Sequence, residues 1–205
     1  MAMSTAHRIE DHAGAWTVDE VLALDEHPAG SHYELVDGVL MMSPAPGWAH
    51  QDASFELASQ LKRAVRTARA PFRVAEAVNV RGDSRLFVPD IVVADRSAVR
   101  RDTVAVPLEA VLLLVEIVSP STRPQDRILK PALYAQAAVP LYWRLELEPE
   151  PHVVVHELSD GTYREGEVLK GRRTVRVADA FTAELDLGAL LADLDGEGDG
   201  EGEGA

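Results

Sequence analysis

Two apolar runs, each with one acidic residue inside it, constrain this chain more than any other feature. The first is Leu86–Ala94 with Asp90, and the second is Val111–Val118 with Glu116. Runs this apolar are typical of strands that are buried on both faces of a sheet. Because a carboxylate is costly to bury unless it is paired or binds a metal, the two acids indicate a functional site.

Length and composition are those of a globular protein. The chain has 205 residues, of which 46% are hydrophobic and 26% charged, so we expect a single domain over residues 15–194. We expect disorder in residues 1–14 and in the acidic, glycine-rich tail 195–205. No apolar run reaches the roughly 18 residues of a membrane span, and Met1–Arg8 lacks a signal-peptide pattern, so a cytoplasmic location is expected.

The formal charge of −14 limits the partners that the chain can bind. Five of the acidic residues lie in the tail, which leaves −9 for the rest. This charge argues against broad, non-specific binding of nucleic acid, but it leaves a local basic groove open. The absence of cysteine excludes disulfides, thiolate catalysis and Cys-ligated zinc. The motifs of serine hydrolases, P-loops and zinc proteases are missing as well.

Capping and turn signals define the start of the domain. Thr17, with Glu20 three residues later, forms a capping box that predicts a short helix ending at Pro28–Gly30. Asp37-Gly38 separates two short apolar runs and predicts a hairpin over residues 33–42. Both signals are local, so neither shows which part of the chain these elements pack against.

Periodicity predicts a helix and a strand next. Apolar residues at helical spacing predict a helix from His50 to Thr67. Four basic residues form its far end: Lys62, Arg63, Arg66 and Arg69. Alternating residues over Phe72–Val80 predict a strand, and Leu86–Ala94 and Val111–Val118 predict two more, with a polar connection between them.

The second half begins with a helix over Gln125–Ala138. Pro131 inside it predicts either a kink or a helix that starts at Pro131. A strand is predicted over Leu141–Leu147. An antiparallel meander is predicted over His152–Leu158, Thr162–Arg164 and Thr174–Val177, followed by a closing helix over Leu185–Leu194.

The order of these elements predicts an α/β fold with a mixed α+β sheet. The core order is helix, strand, strand, strand, helix, strand, with a hairpin before it and an antiparallel meander after it.

Short motifs follow one another along most of the chain: Tyr33-Glu-Leu-Val-Asp-Gly38, Pro46, His50, Val88-Pro-Asp-Ile-Val-Val93, Val115-Glu-Ile-Val-Ser-Pro-Ser-Thr-Arg123, Asp126, Lys130, Tyr134 and Val139-Pro-Leu-Tyr-Trp143. They resemble the motifs of the Uma-two endonuclease family, which is grouped with the PD-(D/E)XK restriction-endonuclease-like proteins. The resemblance implies a restriction-endonuclease-like core, and the predicted order of elements agrees with it. No single motif is decisive, but their order and spacing from about Trp16 to about Leu191 are specific.

The resemblance implies a metal-dependent endonuclease with Asp90, Glu116 and Lys130 as its catalytic residues. Pro89-Asp90 is similar to the PD element, and Glu116 to the acid of the second strand. The usual lysine position, two residues after that acid, is Val118 here. The resemblance implies that Lys130, on the following helical segment, takes the role of that lysine.

Phosphodiester hydrolysis suits these residues. A divalent metal activates water and neutralises developing charge. Mg²⁺, or Mn²⁺, prefers oxygen ligands and keeps several waters, so Asp90, Glu116 and the Ile117 carbonyl are the expected ligands. Lys130 is expected to orient or deprotonate the attacking water, or to stabilise the charge on phosphorus.

Each residue also has a purely structural interpretation. Asp90 fits a strand-end acid that accepts backbone hydrogen bonds, Glu116 fits an ion pair with Lys130, and Lys130 fits an exposed helix lysine paired with Asp126. Asp126 itself is favoured as a helix-start acid over a ligand.

Asp126 is a candidate supporting residue of the site, and three further residues join it. Glu34 is either a ligand or a solvated hairpin acid. His50 either contacts phosphate and transfers protons, or caps its helix. Tyr134 either lines the face of Lys130 or packs in the core, and packing is favoured.

Two rival functions stay open. A degenerate nuclease fold that serves as a binding module is favoured by the acidic surface and by Val118. A hydrolase of another phosphate ester, such as a nucleotide, is less handicapped by acidic charge than an enzyme on DNA. Nucleic acid, with DNA favoured, is the expected partner, and a homodimer using the edge of the terminal meander is a further expectation.

Overall fold

The computed structural model describes residues 9, 11–24, 31–119 and 123–195. Its helices are α1 (Val18–Leu22), α2 (Trp48–Thr67), α3 (Lys130–Gln136) and α4 (Ala192–Asp195). Its strands are β1 (His32–Val36), β2 (Val39–Ser43), β3 (Phe72–Glu76), β4 (Asn79–Arg81), β5 (Arg85–Phe87), β6 (Ile91–Asp95), β7 (Ala105–Pro107), β8 (Val111–Val118), β9 (Leu141–Glu146), β10 (His152–Ser159), β11 (Thr162–Lys170), β12 (Arg172–Val177) and β13 (Phe181–Asp186).

The main sheet has the strand order β11-β10-β9-β8-β6-β3. Strands β8 and β9 run parallel, joined through α3, and the other neighbours are antiparallel. In chain order, α2, β3, β6, β8, α3 and β9 reproduce the predicted core. The predicted fold class, an α/β protein with a mixed sheet, is confirmed.

Helix α2 packs on one face of the main sheet, and α3 packs on the other. Val115 and Ile117 of β8 belong to the core cluster that includes the buried side of α2. Leu114 lies in the opposite cluster with Tyr134 of α3. Because side chains alternate along a strand, Glu116 points to the same side as Leu114, the side that carries α3.

A second sheet, with the order β2-β1-β5-β4-β7, lies beside the first. The predicted capping box and hairpin are both confirmed: Thr17 and Glu20 exchange hydrogen bonds, and β1 pairs with β2 across Asp37-Gly38. The polar connection before β8 contributes the short strand β7 to this sheet.

The prediction of one strand over Leu86–Ala94 is wrong. The segment forms β5 in the second sheet and β6 in the main sheet, with a break at residues 88–90. Pro89 at the break has no N–H to donate to a sheet. The predicted strand Phe72–Val80 is broken in the same way, and Ala77 N–H donates to the Asp90 carbonyl at 3.1 Å. The chain therefore crosses between the two sheets twice, once between β3 and β4 and once between β5 and β6, and the two crossings lie side by side.

The segment before β9 is helical, as predicted over Gln125–Ala138, but its first part is not a regular α-helix. Residues Gln125–Leu129 form a π-helical turn, and α3 follows directly from Lys130. Pro131 has no N–H to donate to the Asp126 carbonyl five residues earlier, and that carbonyl accepts from the Tyr142 hydroxyl instead. The π-turn thus takes the place of a kink at Pro131.

The predicted meander and closing helix are correct only in part. Strands β10 and β11 form a hairpin on the main sheet, but β12 pairs with β13 in a separate two-stranded sheet. Phe181, Ala183 and Leu185 are buried in alternation with exposed residues, so this segment is a strand rather than a helix. The helix at the end is limited to Ala192–Asp195.

Several predictions fall on parts of the chain outside the described residues. They include most of the polar segment 1–14, the helix stop at Pro28–Gly30 and the tail from residue 196 onward. Within the described residues, no helix is both long and apolar enough to cross a bilayer.

Candidate functional site

A cleft of about 520 Å³ opens where the chain crosses between the two sheets. Asp90, Glu116, Asp126 and Lys130 line it, together with His50 from the first turn of α2. Asp90 lies in the break before β6, and Glu116 lies near the end of the antiparallel neighbour β8. The structure thus brings together acids that are 26 positions apart in the sequence.

Asp90 is held from two sides. The Ile117 N–H donates to Asp90 Oδ2 at 2.6 Å, and His50 Nε2 lies 3.2 Å from the same oxygen. The Asp90 carboxylate thereby takes the place of a backbone acceptor in the hydrogen bonding between the segments of β6 and β8. The purely structural interpretation, a strand-end acid that accepts a backbone hydrogen bond, describes a contact that exists, but the side chain also reaches the cleft.

Glu116 is only 2% exposed and has two side-chain partners. Lys130 Nζ donates to Glu116 Oε2 at 2.9 Å, and the Tyr134 hydroxyl donates to Glu116 Oε1. Burial raises the pKa of Glu116, the Lys130 ammonium opposes this, and the nearby Asp90, Asp126 and Glu34 carboxylates raise it further. The net pKa of Glu116 is raised well above its usual range.

Lys130 lies at the centre of the acidic group. Besides Glu116, its Nζ lies 3.7 Å from Asp126 Oδ1 and 4.0 Å from Glu34 Oε1. Burial by itself lowers the pKa of Lys130, but the surrounding carboxylates, with Glu116 first, raise it above its usual value. The side chain is 12% exposed, so the interpretation as an exposed helix lysine is wrong, although the predicted contact with Asp126 exists.

Glu34 is a buried member of this group and not a solvated hairpin acid. The Ser43 hydroxyl donates to Glu34 Oε2 at 2.6 Å, and the Val88 N–H donates to Glu34 Oε1 at 3.0 Å. The second bond fixes the segment that leads into Asp90. Glu34 therefore connects the hairpin to the break between the sheets.

His50 differs from its structural interpretation, whereas Tyr134 packs in the core as favoured. Helix α2 has Gly47 as its N-cap and no side-chain cap, so the capping role for His50 is wrong. Burial lowers the pKa of His50, but Asp90, Asp126 and the Ile117 backbone together raise it, and the net pKa is raised. Tyr134 is buried as ordinary packing requires, and its hydroxyl still reaches Glu116.

Sequence reasoning missed two contacts that support the site. The Tyr142 hydroxyl donates to the Asp126 carbonyl at 2.6 Å and so fixes the π-turn before Lys130. Arg127 of the same turn forms two hydrogen bonds with Glu146 of β9, which also accepts one from Arg144. No local pattern marks these partners, since they come from a strand that follows α3.

The donors in the cleft fit a divalent cation that is bound through oxygen. Four carboxylates, those of Glu34, Asp90, Glu116 and Asp126, face one lysine ammonium, so the group carries excess negative charge. Among the described residues, no three His, Asp or Glu side chains form a complete metal cage. A Mg²⁺-like ion that keeps several waters needs no such cage.

Comparison with known proteins gives solved structures of the same fold and one family. No curated protein matches the chain. The structure of a putative nuclease belonging to DUF820 from Anabaena variabilis ATCC 29413 matches with a TM-score of 0.68 and 20% identity, covering 86% of this chain and 98% of that one. At this identity the likeness shows a shared fold. The family model of Uma2, described as putative restriction endonuclease, matches residues 18–190, and the chain therefore belongs to this family.

Proposed function

We propose that the protein is a metal-dependent endonuclease that hydrolyses phosphodiester bonds of nucleic acid, with DNA as its substrate. The observation that supports this most is the meeting of Asp90, Glu116 and Lys130 in one cleft. Membership of the restriction endonuclease family supports the same reaction class. Function depends on this site and not on the fold, since one fold hosts many activities.

We assign the metal to the carboxylates of Asp90 and Glu116 and the carbonyl of Ile117, with Mg²⁺ or Mn²⁺ as the ion. When bound, the ion supplies an activated water and neutralises charge on the phosphate. The excess of carboxylates over cations in the cleft favours this assignment, because a divalent ion relieves their mutual repulsion.

The protein side chains supply position and charge. His50 and the Ile117 N–H fix the orientation of Asp90, while Tyr134 fixes that of Glu116. Lys130 has a raised pKa and stays protonated at neutral pH, so it acts as a cation and donor and not as a base. Its role is to stabilise the negative charge that develops on the phosphoryl oxygens.

Cleavage assays of an Asp90→Asn variant test this proposal. With Mg²⁺ or Mn²⁺, the wild type is expected to cut plasmid or single-stranded DNA, and the variant to lose at least about 100-fold in rate because it lacks a charged ligand. Asp102→Asn, at an exposed position, is the matched control. Circular dichroism verifies that both variants fold. Cleavage by a pure Asp90→Asn preparation at the wild-type rate contradicts the proposal.

One observation favours a second candidate, a degenerate nuclease fold that binds without cutting. Lys130 and Tyr134 each donate a hydrogen bond to one oxygen of Glu116, so the protein itself satisfies this carboxylate. Calorimetric titration with Mn²⁺ separates the two: the endonuclease loses its affinity in Asp90→Asn, and the binding module has none in the wild type. Comparing plasmid, single strands and nucleotides as substrates tests the third possibility, a hydrolase of another phosphate ester.

The homodimer and the cytoplasmic location stay predictions from the sequence. Strand β11 forms an edge of the main sheet, so it is the edge to which the predicted dimer surface corresponds. Its side chains are mostly exposed.

A further inference from the structure

The solvent-facing side of α2 carries two exposed aromatic residues. Trp48 is 76% exposed and Phe55 is 63% exposed. Large aromatic side chains are ordinarily buried to a high degree, so two of them facing solvent on one helix indicate a binding surface. Seven residues separate them, which places them about 20° apart around the helix axis and on one face.

Basic residues continue the same face toward the end of α2. Lys62 follows Trp48 by 14 positions and Arg66 by 18, so both lie within about 40° of it around the axis. Arg63 adjoins them, and both arginines are exposed. Lys62 is partly neutralised by Glu76, whose Oε2 lies 3.2 Å from Lys62 Nζ. We call Trp48, Phe55, Lys62, Arg63 and Arg66 the α2 track; it is about 27 Å long.

The track starts at the candidate active site. Trp48 lines the same cleft as His50 and Asp90, because all three lie at the start of α2 or beside it. A ligand that stacks on Trp48 therefore enters the cleft next to the carboxylates. The cleft itself is poor in cations, and its acids repel an unshielded phosphate backbone.

We propose that the α2 track binds single-stranded nucleic acid, with bases stacked on Trp48 and Phe55 and phosphates on Arg63 and Arg66. This inference rests on the proposed function for the delivery of the strand to the cleft. Aromatic platforms followed by basic side chains are the surface that single strands bind, because every unpaired base exposes a π-face. A duplex hides those faces, so it can contact the α2 track through its phosphates but not through stacked bases.

Fluorescence anisotropy in EDTA tests the proposal without any cleavage. The probes are a labelled single strand of about 15 nucleotides, within the range of known single-strand sites, and its duplex. Trp48→Ala and Phe55→Ala are each expected to weaken single-strand binding roughly 5- to 100-fold through lost stacking. Replacing Arg63 and Arg66 by serine is expected to make the negative slope of log affinity against log salt concentration less steep by about 1.4, because two phosphate contacts are lost.

Matched controls are Val104→Ala, an exposed apolar residue outside α2, and Arg101→Ser, an exposed arginine outside it. Both are expected to bind as the wild type does. Circular dichroism verifies that each variant folds, and the same probe is titrated into Asp90→Asn. An affinity equal to that of the wild type in this variant shows that the track binds independently of the catalytic carboxylate.

Three results overturn the proposal. The first is unchanged single-strand affinity in both aromatic variants, and the second is a duplex that binds more tightly than the single strand. The third is a molecular mass in solution that falls from that of a dimer in the wild type to that of a monomer in Trp48→Ala, while the single-strand affinity stays unchanged. This result assigns the face to a second copy of the chain. Failure of the wild type to cut DNA, with stacking-dependent binding intact, instead counts against the proposed function alone.

Discussion

Replacing Lys130 with methionine tests whether the acidic group depends on this one cation. The substitution keeps most of the side-chain volume but removes the ammonium that lies 2.9 Å from Glu116. Glu116, Asp126 and Glu34 then face one another while each is at most 4% exposed. Water does not reach these charges to screen them, so their repulsion raises the free energy of the folded state. In the unfolded chain the same charges are hydrated and far apart.

Loss of one partner from a buried ion pair destabilises a protein by about 3–5 kcal/mol. That is a large share of the roughly 5–15 kcal/mol that holds a typical domain folded. The raised pKa of Glu116 limits the loss of stability in Lys130→Met, because a protonated Glu116 no longer repels its neighbours. An acid with a raised folded pKa binds more protons in the folded state, so the deficit is expected to shrink as the pH falls from about 7.5 toward 5.

Urea denaturation at both pH values measures these effects, with stability obtained by linear extrapolation. The matched control is Lys62→Met, which breaks a pair with Glu76 whose side chains are 37% and 28% exposed. Such a pair contributes about 0–1 kcal/mol. The reasoning is refuted if Lys130→Met costs no more than Lys62→Met. It is also refuted if adding Glu116→Gln to Lys130→Met restores no stability.

Two further predictions concern the surroundings of the site. Tyr134→Phe removes a hydrogen bond to a buried carboxylate, so a loss of about 1.5–3 kcal/mol is expected in urea denaturation, and an unchanged midpoint contradicts the contact. Burial, with help from Arg144, lowers the folded pKa of His156, so the unfolded chain binds its proton first and stability falls below about pH 6.5. His156→Gln is expected to flatten that part of the pH profile, and a profile of unchanged slope argues against a neutral, buried His156.

The local elements of this fold follow from the sequence because their causes are local. The capping box at Thr17 and the hairpin at Asp37-Gly38 each depend on residues within a few positions of one another. The run Val111–Val118 forms an interior strand as its composition requires. The cost of burying a lone carboxylate also identified Asp90 and Glu116 before any coordinates were known.

The breaks in the strands depended on distant partners. Residues 88–90 leave the sheet where Pro89 lacks an N–H and where Val88 N–H reaches Glu34, which is 54 positions away. A run of apolar residues looks the same whether it forms one strand or two strands in different sheets. The partner of β12 was equally hidden, since β-pairing is decided by packing across the whole chain.

The residue pattern predicts the fold class, most of the local elements and the two acids of the candidate site. The contact between Lys130 and Glu116 depends on packing between distant segments, because Tyr142 and Glu146 of β9 hold the π-turn that sets the position of α3. The tertiary structure also moved Asp90 out of a continuous strand to the junction of two sheets. Charge and hydrophobicity are properties of single residues and are visible in the sequence. The meeting of Glu34, Asp90 and Lys130 depends instead on contacts between remote segments.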